Sequence, residues 1–350
     1  MAYTTINKSS EHFNTKLFTG NGSTNAVTGV GFQPDFVWLK NRNTTANHHL
    51  YDAVRGATKQ ITSVDTRAES TQTNGLTAFG SDGFTVGIDG DINGSGNGIA
   101  SWNWKANGAG STNTVGDINS TVSVNTTAGF SIVKWTGNNT AGNTVGHGLG
   151  AVPKVVIIKR LDTTGSWISK FNSSTDGYFY LHTADGISSS SGWLPTSSTT
   201  FTLANQWTSY NASGSNYIAY CFAEKTGYSK FGQLISNGND SGSFCYTGFA
   251  PKWVMLKPNV TDGWSHWYIF DTARDHPQLN DMPLYANLTT QEGYYGGSPA
   301  TNYAQIDMLS NGFKIRRDGN WGGGGNGTEL IYMAFGQSLV GTNGVTAKAR

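Results

Sequence analysis

The feature that most constrains this chain is a seven-residue pattern that occurs three times. It reads PDFVWLK at 34–40, PKVVIIK at 153–159 and PKWVMLK at 251–257. Proline has no N–H to donate to a neighbouring strand, so it suits the first residue of a strand. The nearly continuous apolar run behind each proline predicts a strand that is buried on both faces.

Two further patterns follow each copy in the same order. A strand centred on phenylalanine comes first (Phe84, Phe201 and Phe313), and an aromatic-rich strand follows at 101–106, 219–224 and 332–337. Repetition at similar spacing indicates one structural unit used several times. Short strands separated by turn residues are typical of β-sandwiches. We therefore predict an all-β chain with an N-terminal arm and three tandem β-sandwich (jelly-roll-like) domains, at 1–12, 13–108, 109–226 and 227–350.

A glycine- and asparagine-rich loop separates the second and third patterns of each unit, at 90–98, 211–216 and 318–327. Both residue types tolerate the positive φ angles that hairpin tips require. The three loops are therefore predicted as tips that project from equivalent domain edges. The third contains Trp321, which either packs back on its own domain or contacts a partner protein, because tryptophan is enriched at interface hot spots.

The composition excludes several classes of protein. The 350 residues include 46 glycines, 23 basic and 22 acidic residues, and the glutamates are too few for a coiled coil. Net charge is +1 without a basic stripe, so no nucleic acid is expected as a partner. The sequence has no run of 18 apolar residues, so membrane insertion is not expected, and the N-terminus has no signal-peptide pattern.

Most aromatic residues of the repeated strands are predicted to be core. Cys221 and Cys245 lie in strand-like runs and are predicted to be buried free thiols, which fits synthesis in a reducing cytoplasm. The aromatic side chains assigned to the core are Trp38, Trp102, Trp104, Phe222, Trp253 and Phe335.

Catalytic residues are not predicted, because no nucleophile, phosphate-loop or metalloprotease signature is present. Glycosidase chemistry needs two carboxylates in a cleft. The acids that lie near tryptophans in the sequence are Asp262, Asp271, Asp275 and Asp281. Aspartate is common in turns, so these four acids do not by themselves indicate catalysis. We predict that the chain is not an enzyme and needs no cofactor.

Two short stretches contain metal-ligand residue types. Asp89, Asp91 and Asn93 match the first half of a calcium-loop pattern, but its twelfth position is Ala100 where the motif needs glutamate. A hairpin tip is the favoured interpretation. His48 and His49 are adjacent, and neighbours on a strand point to opposite faces, so one ion cannot easily take both. No metal site is predicted, and the two aspartates and Asn93 are kept as candidates.

The first unit resembles a known family. It carries FTGNGSTNAVTGVGFQPDFVWLKNR at 18–42, HHLYDAVRGATK at 48–59, SDGFTVG at 81–87 and SWNWKA at 101–106. Together these resemble a β-domain family that recurs in virion structural (tail-fibre-like) proteins of marine tailed bacteriophages. The resemblance is dense over 13–106, and WYIFDTAR at 267–274 is a distant counterpart of the second stretch. This resemblance implies a component of the virus particle, and it brings no catalytic motif with it.

The resemblance implies a function at the virion surface, after synthesis in the host bacterial cytoplasm. We expect a tail fibre or appendage that contributes to host attachment. A capsid decoration or head-appendage protein and a polysaccharide depolymerase are the alternatives. Expected partners are other virion proteins of tail or capsid and a host surface glycan or receptor. A homotrimer is favoured, although three tandem units could imitate three-fold symmetry within one chain.

Overall fold

The computed structural model describes residues 4–171, 177–190, 193–204, 206–275, 281–295, 298–299, 305–316 and 325–340. The named strands of these residues all pair antiparallel, and they are accompanied by two one-turn α-helices and a 3-10 helix at Ser9–Glu11. The predicted all-β fold is confirmed. Among the described residues, no helix has the length and apolar character needed to cross a membrane.

We refer to residues 13–108 as segment 1, 109–226 as segment 2 and 227–350 as segment 3. Segment 1 contains β1 (Phe13–Thr19), β2 (Asn25–Thr28), β3 (Phe36–Asn41), β4 (His49–Asp52), β5 (Lys59–Gln60), β6 (Ser70–Thr71), β7 (Leu76–Gly80), β8 (Gly83–Val86), helix α1 (Gly90–Asn93) and β9 (Gly98–Trp104).

Segment 2 contains β10 (Ser111–Asn113), β11 (Ser120–Asn125), β12 (Phe130–Thr136), β13 (Asn143–Gly146), β14 (Val155–Arg160), β15 (Ile168–Phe171), β16 (Gly177–Tyr180), β17 (Ser188–Ser189), β18 (Thr200–Leu203), helix α2 (Thr208–Asn211) and β19 (Asn216–Phe222). Segment 3 contains β20 (Ser229–Ile235), β21 (Ser241–Tyr246), β22 (Ala250–Pro258), β23 (Tyr268–Asp271), β24 (Leu284–Tyr285), β25 (Tyr294–Tyr295), β26 (Ser298–Pro299), β27 (Gln305–Leu309), β28 (Gly312–Arg316) and β29 (Glu329–Gln337).

The main sheets share one order of four strands: β1-β9-β3-β4, β12-β19-β14-β15 and β20-β29-β22-β23. Strands β10, β11, β16 and β17 extend the sheet of segment 2, and β24 extends that of segment 3. The strand with the repeated proline pattern always lies beside the aromatic-rich strand. Its apolar residues are buried in each segment, as the sequence predicts. β3 and β14 begin two residues after their proline, whereas β22 already contains Pro251.

A smaller sheet covers the outer face of each main sheet: β2-β8-β7, β13-β18 and β21-β28-β27. Each pair of sheets encloses its own apolar cluster, and these clusters include Phe84, Phe201 and Phe313 respectively. Each segment thus has two layers with a core between them. The division of the chain into three separate sandwich domains stays a prediction.

A fourth apolar cluster is shared by all three segments and lies between the inner faces of the main sheets. Trp104, Phe222 and Phe335 occupy equivalent positions, because they pair with Phe36, Val155 and Trp253. Their ring centroids lie 5.8 to 6.4 Å from one another. One ring from each segment therefore meets at the centre, and the segments surround a pseudo-three-fold axis.

The described part of the predicted N-terminal arm lies against its own chain. Ile6 is buried in the shared core. The backbone N–H of Ser9 donates to Oε1 of Gln337 at 2.8 Å, and Nε2 of Gln337 donates to the carbonyl of Asn7 at 3.0 Å. Residues 4–12 thereby tie the start of the chain to the last strand.

Candidate functional site

The contacts between segments form three seams. We call the contact between segments 1 and 3 seam A, the contact between segments 2 and 1 seam B, and the contact between segments 3 and 2 seam C. The repeated pattern ends in a lysine, and each seam buries one of these lysines fully: Lys40 in seam A, Lys159 in seam B and Lys257 in seam C.

Each buried lysine braces its seam in the same way. Its Nζ donates to the carbonyl of the next residue in its own strand, at 2.7 or 2.8 Å. It also donates across the seam to a backbone carbonyl of the neighbouring segment: Thr289 at 3.2 Å from Lys40, Thr66 at 3.3 Å from Lys159 and Ala184 at 3.0 Å from Lys257. The brace runs in one cyclic direction around the axis.

Burial in the seams lowers the pKa of all three lysines, because a charged amine loses its hydration there. The pKa falls to about 7 for Lys40 and Lys257 and to about 8 for Lys159. The three braces therefore change charge close to neutral pH, far below the usual range of lysine.

Seam A contains a buried network of an acid, an arginine and a tryptophan. Nε of Arg274 lies 2.6 Å from Oδ2 of Asp271, and Trp102 of segment 1 donates its indole N–H to the same oxygen at 2.9 Å. Arg274 also binds Glu292 at 2.7 Å, and its guanidinium lies over the Trp102 ring, 5.7 Å from the centroid. Although burial disfavours a charged arginine, Asp271 and Glu292 raise the pKa of Arg274.

Seam B contains the same network with a tyrosine as the cross-seam donor. Nε of Arg55 lies 2.5 Å from Oδ2 of Asp52, and Tyr220 of segment 2 donates its hydroxyl to that oxygen at 2.7 Å. Arg55 reaches Glu69 at 3.2 Å, as Arg274 reaches Glu292. The shared Asp-x-x-Arg spacing lies within the two stretches whose likeness the sequence indicates.

Seam C is apolar at the corresponding positions. Phe171 pairs with Val155, just as Asp52 pairs with Phe36 and Asp271 with Trp253. Met333 likewise takes the place of Trp102 and Tyr220 in the strand register. Phe171 contacts the ring of Trp267 in segment 3, with centroids 5.9 Å apart. An aromatic contact therefore replaces the ion pair.

Ring nitrogens add a further contact across two seams. Trp167 donates its indole N–H to the carbonyl of Thr62 at 2.7 Å in seam B, and Trp267 donates to Tyr180 at 3.0 Å in seam C. His48 holds the equivalent position in segment 1. It accepts a hydrogen bond from Trp38 at 2.8 Å and is fully buried, which lowers its pKa. Its ring contacts Trp38 and Trp102, which belong to the shared core.

His49 points away from the shared core, towards the loop before α1. Its Nδ1 lies 3.5 Å from Oδ2 of Asp89 and its Nε2 lies 3.4 Å from Oδ2 of Asp91. Asp89 is the N-cap of α1 and accepts a hydrogen bond from the N–H of Asp91 at 3.0 Å. The structure thus brings together one of the two histidines and two of the three calcium-loop candidates.

Asn93, the third of those candidates, supports the loop instead. It is fully buried, and its amide donates to the carbonyl of Gly87 at 2.7 Å. Its Oδ1 accepts from the N–H of Asn21 and from the amide of Asn25, both at 3.1 Å. These bonds leave Asn93 turned away from the two aspartates.

A polar groove of about 360 Å³ lies where segments 1 and 2 meet. Most of its lining side chains carry hydroxyl or amide groups, and Lys134 adds one charge. The residues that line it are Val54, Thr112, Asn119, Ser120, Thr121, Lys134, Trp135, Thr136 and Asn216. Its hydrogen-bonding groups suit a ligand rich in hydroxyls.

One family model matches residues 8–338, under the description Domain of unknown function (DUF7483). The chain belongs to this family. The match spans all three segments. No curated protein and no solved structure matches the chain. The DUF7483 description names no activity, and the resemblance to phage virion proteins stays a prediction.

The first two glycine-rich loops of this DUF7483 member do not project as simple hairpin tips. The first contains the one-turn helix α1, and the second begins at the last residue of α2. Each helix ends in a fully buried asparagine, Asn93 or Asn211. Nδ2 of Asn211 donates to the carbonyl of Thr140 at 3.0 Å, which holds the second loop on its own segment. Residues 318–324 of the third loop lie outside the described residues, and Trp321 lies there as well.

Other residues named in the sequence analysis are buried. Asp271, one of the four acids considered for glycosidase chemistry, is fully buried in seam A and is not exposed to a polysaccharide. Cys221 and Cys245 are buried free thiols, as predicted. The six aromatic residues assigned to the core are buried, also as predicted. The cross-seam networks themselves were missed, because their partners are far apart in sequence.

Proposed function

We propose that this protein is a non-enzymatic structural component of a tailed-phage virion, exposed on a tail fibre or appendage that contributes to host attachment. The observation that carries the proposal is the closed arrangement of three similar segments around a shared core. A body braced on three sides resists deformation, which suits a part that must present a binding surface under mechanical load. The resemblance in segment 1 supplies the virion context.

The pseudo-three-fold arrangement bears on how the protein joins its neighbours. Three main sheets with the same strand order offer similar faces around one axis. A single copy can therefore occupy a three-fold position that otherwise needs three identical subunits. Sedimentation analysis of the purified chain distinguishes a monomer of this kind from the homotrimer that the sequence favours.

The polar groove between segments 1 and 2 is the surface that we propose for a host glycan. Its volume of about 360 Å³ lies within the usual range of ligand pockets. A Thr121→Arg substitution fills the groove while changing a residue that is only half-buried. Glycan binding that persists in this variant assigns the contact to another surface.

Location on the particle tests the proposed function. Intact virions are labelled with a gold-conjugated antibody against this chain and imaged by electron microscopy. Label on the tail is the expected result. Label confined to the capsid supports a decoration or head-appendage protein. A pseudo-three-fold body also fits the local three-fold axes of a capsid. Particles without label overturn a virion role.

The non-enzymatic part of the proposal has its own assay. The purified protein is incubated with host surface polysaccharide, and reducing ends are measured over time. No release above the rate of a heat-denatured sample is expected. Sustained release by the native protein overturns the proposal in favour of a depolymerase.

A further inference from the structure

The side chain of His49 lies between two carboxylates, and in its neutral form it can donate a hydrogen bond to only one of them. It is only 4% exposed, and its two ring nitrogens face Asp89 at 3.5 Å and Asp91 at 3.4 Å. A neutral imidazole has one nitrogen that donates and one that accepts, whereas an ionised carboxylate only accepts. One of the two contacts therefore places lone pairs against each other without a proton between them.

The burial of Nδ1 makes this mismatch costly. Nδ1 of His49 is buried and has no hydrogen-bond partner within the described structure. Leaving a buried polar atom without a partner is costly, and more so when a charge faces it. A cation at this place binds the unprotonated ring nitrogen and the carboxylate oxygens, and so replaces the repulsive contact with bonds.

We propose that His49, Asp89 and Asp91 bind a divalent transition-metal ion of the Zn²⁺ or Mn²⁺ class. One ligand atom from each residue lies within 4.8 Å of the others. Two ligands of such an ion are at most about 4.2 Å apart, so the group contracts by roughly half an ångström around it. The ion takes one ring nitrogen and one oxygen from each aspartate, and the second ring nitrogen keeps its proton.

The donor set decides the class of metal. Imidazole suits Zn²⁺ and other first-row ions, whereas Ca²⁺ prefers six to eight oxygen ligands. Oδ1 of Asn93 already accepts hydrogen bonds from Asn21 and Asn25 and adds no ligand oxygen. Asp91 is 40% exposed, which leaves the remaining coordination positions open to water.

The equivalent corner of segment 2 has no such donors. The strand register aligns His49 with Ile168, because these pair with Leu39 and Ile158. The N-cap of α2 is Trp207 where α1 has Asp89, and Ser209 stands where α1 has Asp91. The strand-and-helix corner therefore forms without a cation, and the donors in segment 1 are an addition to it.

Metal titration tests the proposal directly. Untagged protein is treated with chelator at pH 7.5 and titrated with Mn²⁺, and the free ion is followed by its electron paramagnetic resonance signal. Zn²⁺ and Ca²⁺ are titrated by calorimetry. We expect one Mn²⁺ or Zn²⁺ per chain, much weaker binding of Ca²⁺, and a higher melting temperature with Zn²⁺.

Variants identify the ligands and provide the control. Asp91→Ser, which copies segment 2, is expected to lower the affinity at least tenfold. Asp89→Asn keeps an efficient helix cap while weakening the ligand, so it covers the case that the first variant is unstable. Asp240→Asn removes an exposed carboxylate elsewhere and should bind like the natural protein.

Two results overturn the proposal. One is the absence of saturable Mn²⁺ or Zn²⁺ binding, or equal binding by all three variants. The other comes from NMR of the histidine ring: a doubly protonated His49 whose signals do not change on adding Zn²⁺ shows a histidinium held between two aspartates. Such a pairing satisfies both carboxylates by hydrogen bonds and leaves no place for an ion.

Discussion

Seams A and C solve the same packing problem with different chemistry. Both contain the lysine brace, through Lys40 in seam A and Lys257 in seam C. At the position of Asp271 in seam A, seam C has Phe171. The difference shows that the brace is common to the architecture, whereas the buried ion pair is one of two ways to fill the space beside it.

This comparison agrees with what is known of buried ion pairs. Removing two charges from water is expensive, so replacement of a whole pair by apolar residues is often neutral. Removing one partner alone is costly, because the other charge stays buried without compensation. Seam C represents the first situation, and single substitutions in seam A should produce the second.

The largest effect is expected from placing the acid of seam A in seam C. Phe171→Asp removes a buried ring and buries a carboxylate, and the residue three positions later is Ser174 in place of an arginine. We expect a loss of at least about 4 kcal/mol in the free energy of unfolding, measured by urea denaturation. Phe171→Leu, which adds no charge, should cost about 1–2 kcal/mol. Equal losses for both variants contradict the interpretation.

Breaking the pair in seam A should have the next largest effect. Arg274→Met leaves Asp271 buried with the neutral indole of Trp102 as its cross-seam partner. The expected loss is about 3–5 kcal/mol in the same assay. The control is Arg67→Met, because Arg67 is 60% exposed and its pair with Asp65 should be worth less than about 1 kcal/mol. Similar losses at both sites mean that seam A is solvated.

The lysine braces predict a pH dependence that all three seams share. Their pKa values are lower in the folded chain, so unfolding takes up protons between pH about 7 and pH about 10. Stability should therefore rise with pH in this window, by about 1.4 kcal/mol per pH unit for each lysine that is neutral when folded.

Lys257→Met isolates the contribution of one brace. Urea denaturation between pH 7.0 and pH 8.5 avoids the range in which buried thiols of raised pKa oppose the trend. In the variant, the free energy of unfolding should rise less steeply with pH. Its slope should be smaller than that of the natural protein by about 1.4 kcal/mol per pH unit. An unchanged slope shows that Lys257 keeps its charge in the folded chain.

The smallest effect is expected at the rim of seam A. Arg42 donates to Glu292 at 2.8 Å but is 24% exposed, and Glu292 keeps its contact with Arg274 when Arg42 is replaced. Arg42→Met should therefore cost about 0.5–1 kcal/mol, and the cost should shrink in high salt. A loss of stability as large as that of Arg274→Met would contradict this expectation and show that Arg42 belongs to the buried network.

The pattern of residues predicted the strands well but not their partners. A proline followed by an apolar run predicts a buried strand wherever it occurs, and β3, β14 and β22 bear this out. The lysine that ends each run was visible too. Its acceptors were not predictable, because Thr289, Thr66 and Ala184 contribute backbone carbonyls, which any residue could supply.

The candidate metal site was likewise predictable from the sequence only in part. The alternation of side chains along a strand predicted that His48 and His49 face opposite sides. The pattern Asp-x-Asp-x-Asn marked the loop, but the role of Asn93 depends on carbonyls that only the folded loop presents. The approach of His49 to Asp89 joins residues 40 positions apart, and no local spacing rule covers such a contact.

The sequence by itself determined an all-β chain with one strand pattern used three times, because strand geometry, proline chemistry and glycine turns act over a few residues. The tertiary structure decided which faces of the three sheets meet. Apolar burial is not directional, so similar inner faces could pair in several ways. The arrangement is defined by hydrogen bonds and charges that cross the seams. Trp102 with Asp271, Tyr220 with Asp52 and Phe171 with Trp267 make each seam distinct.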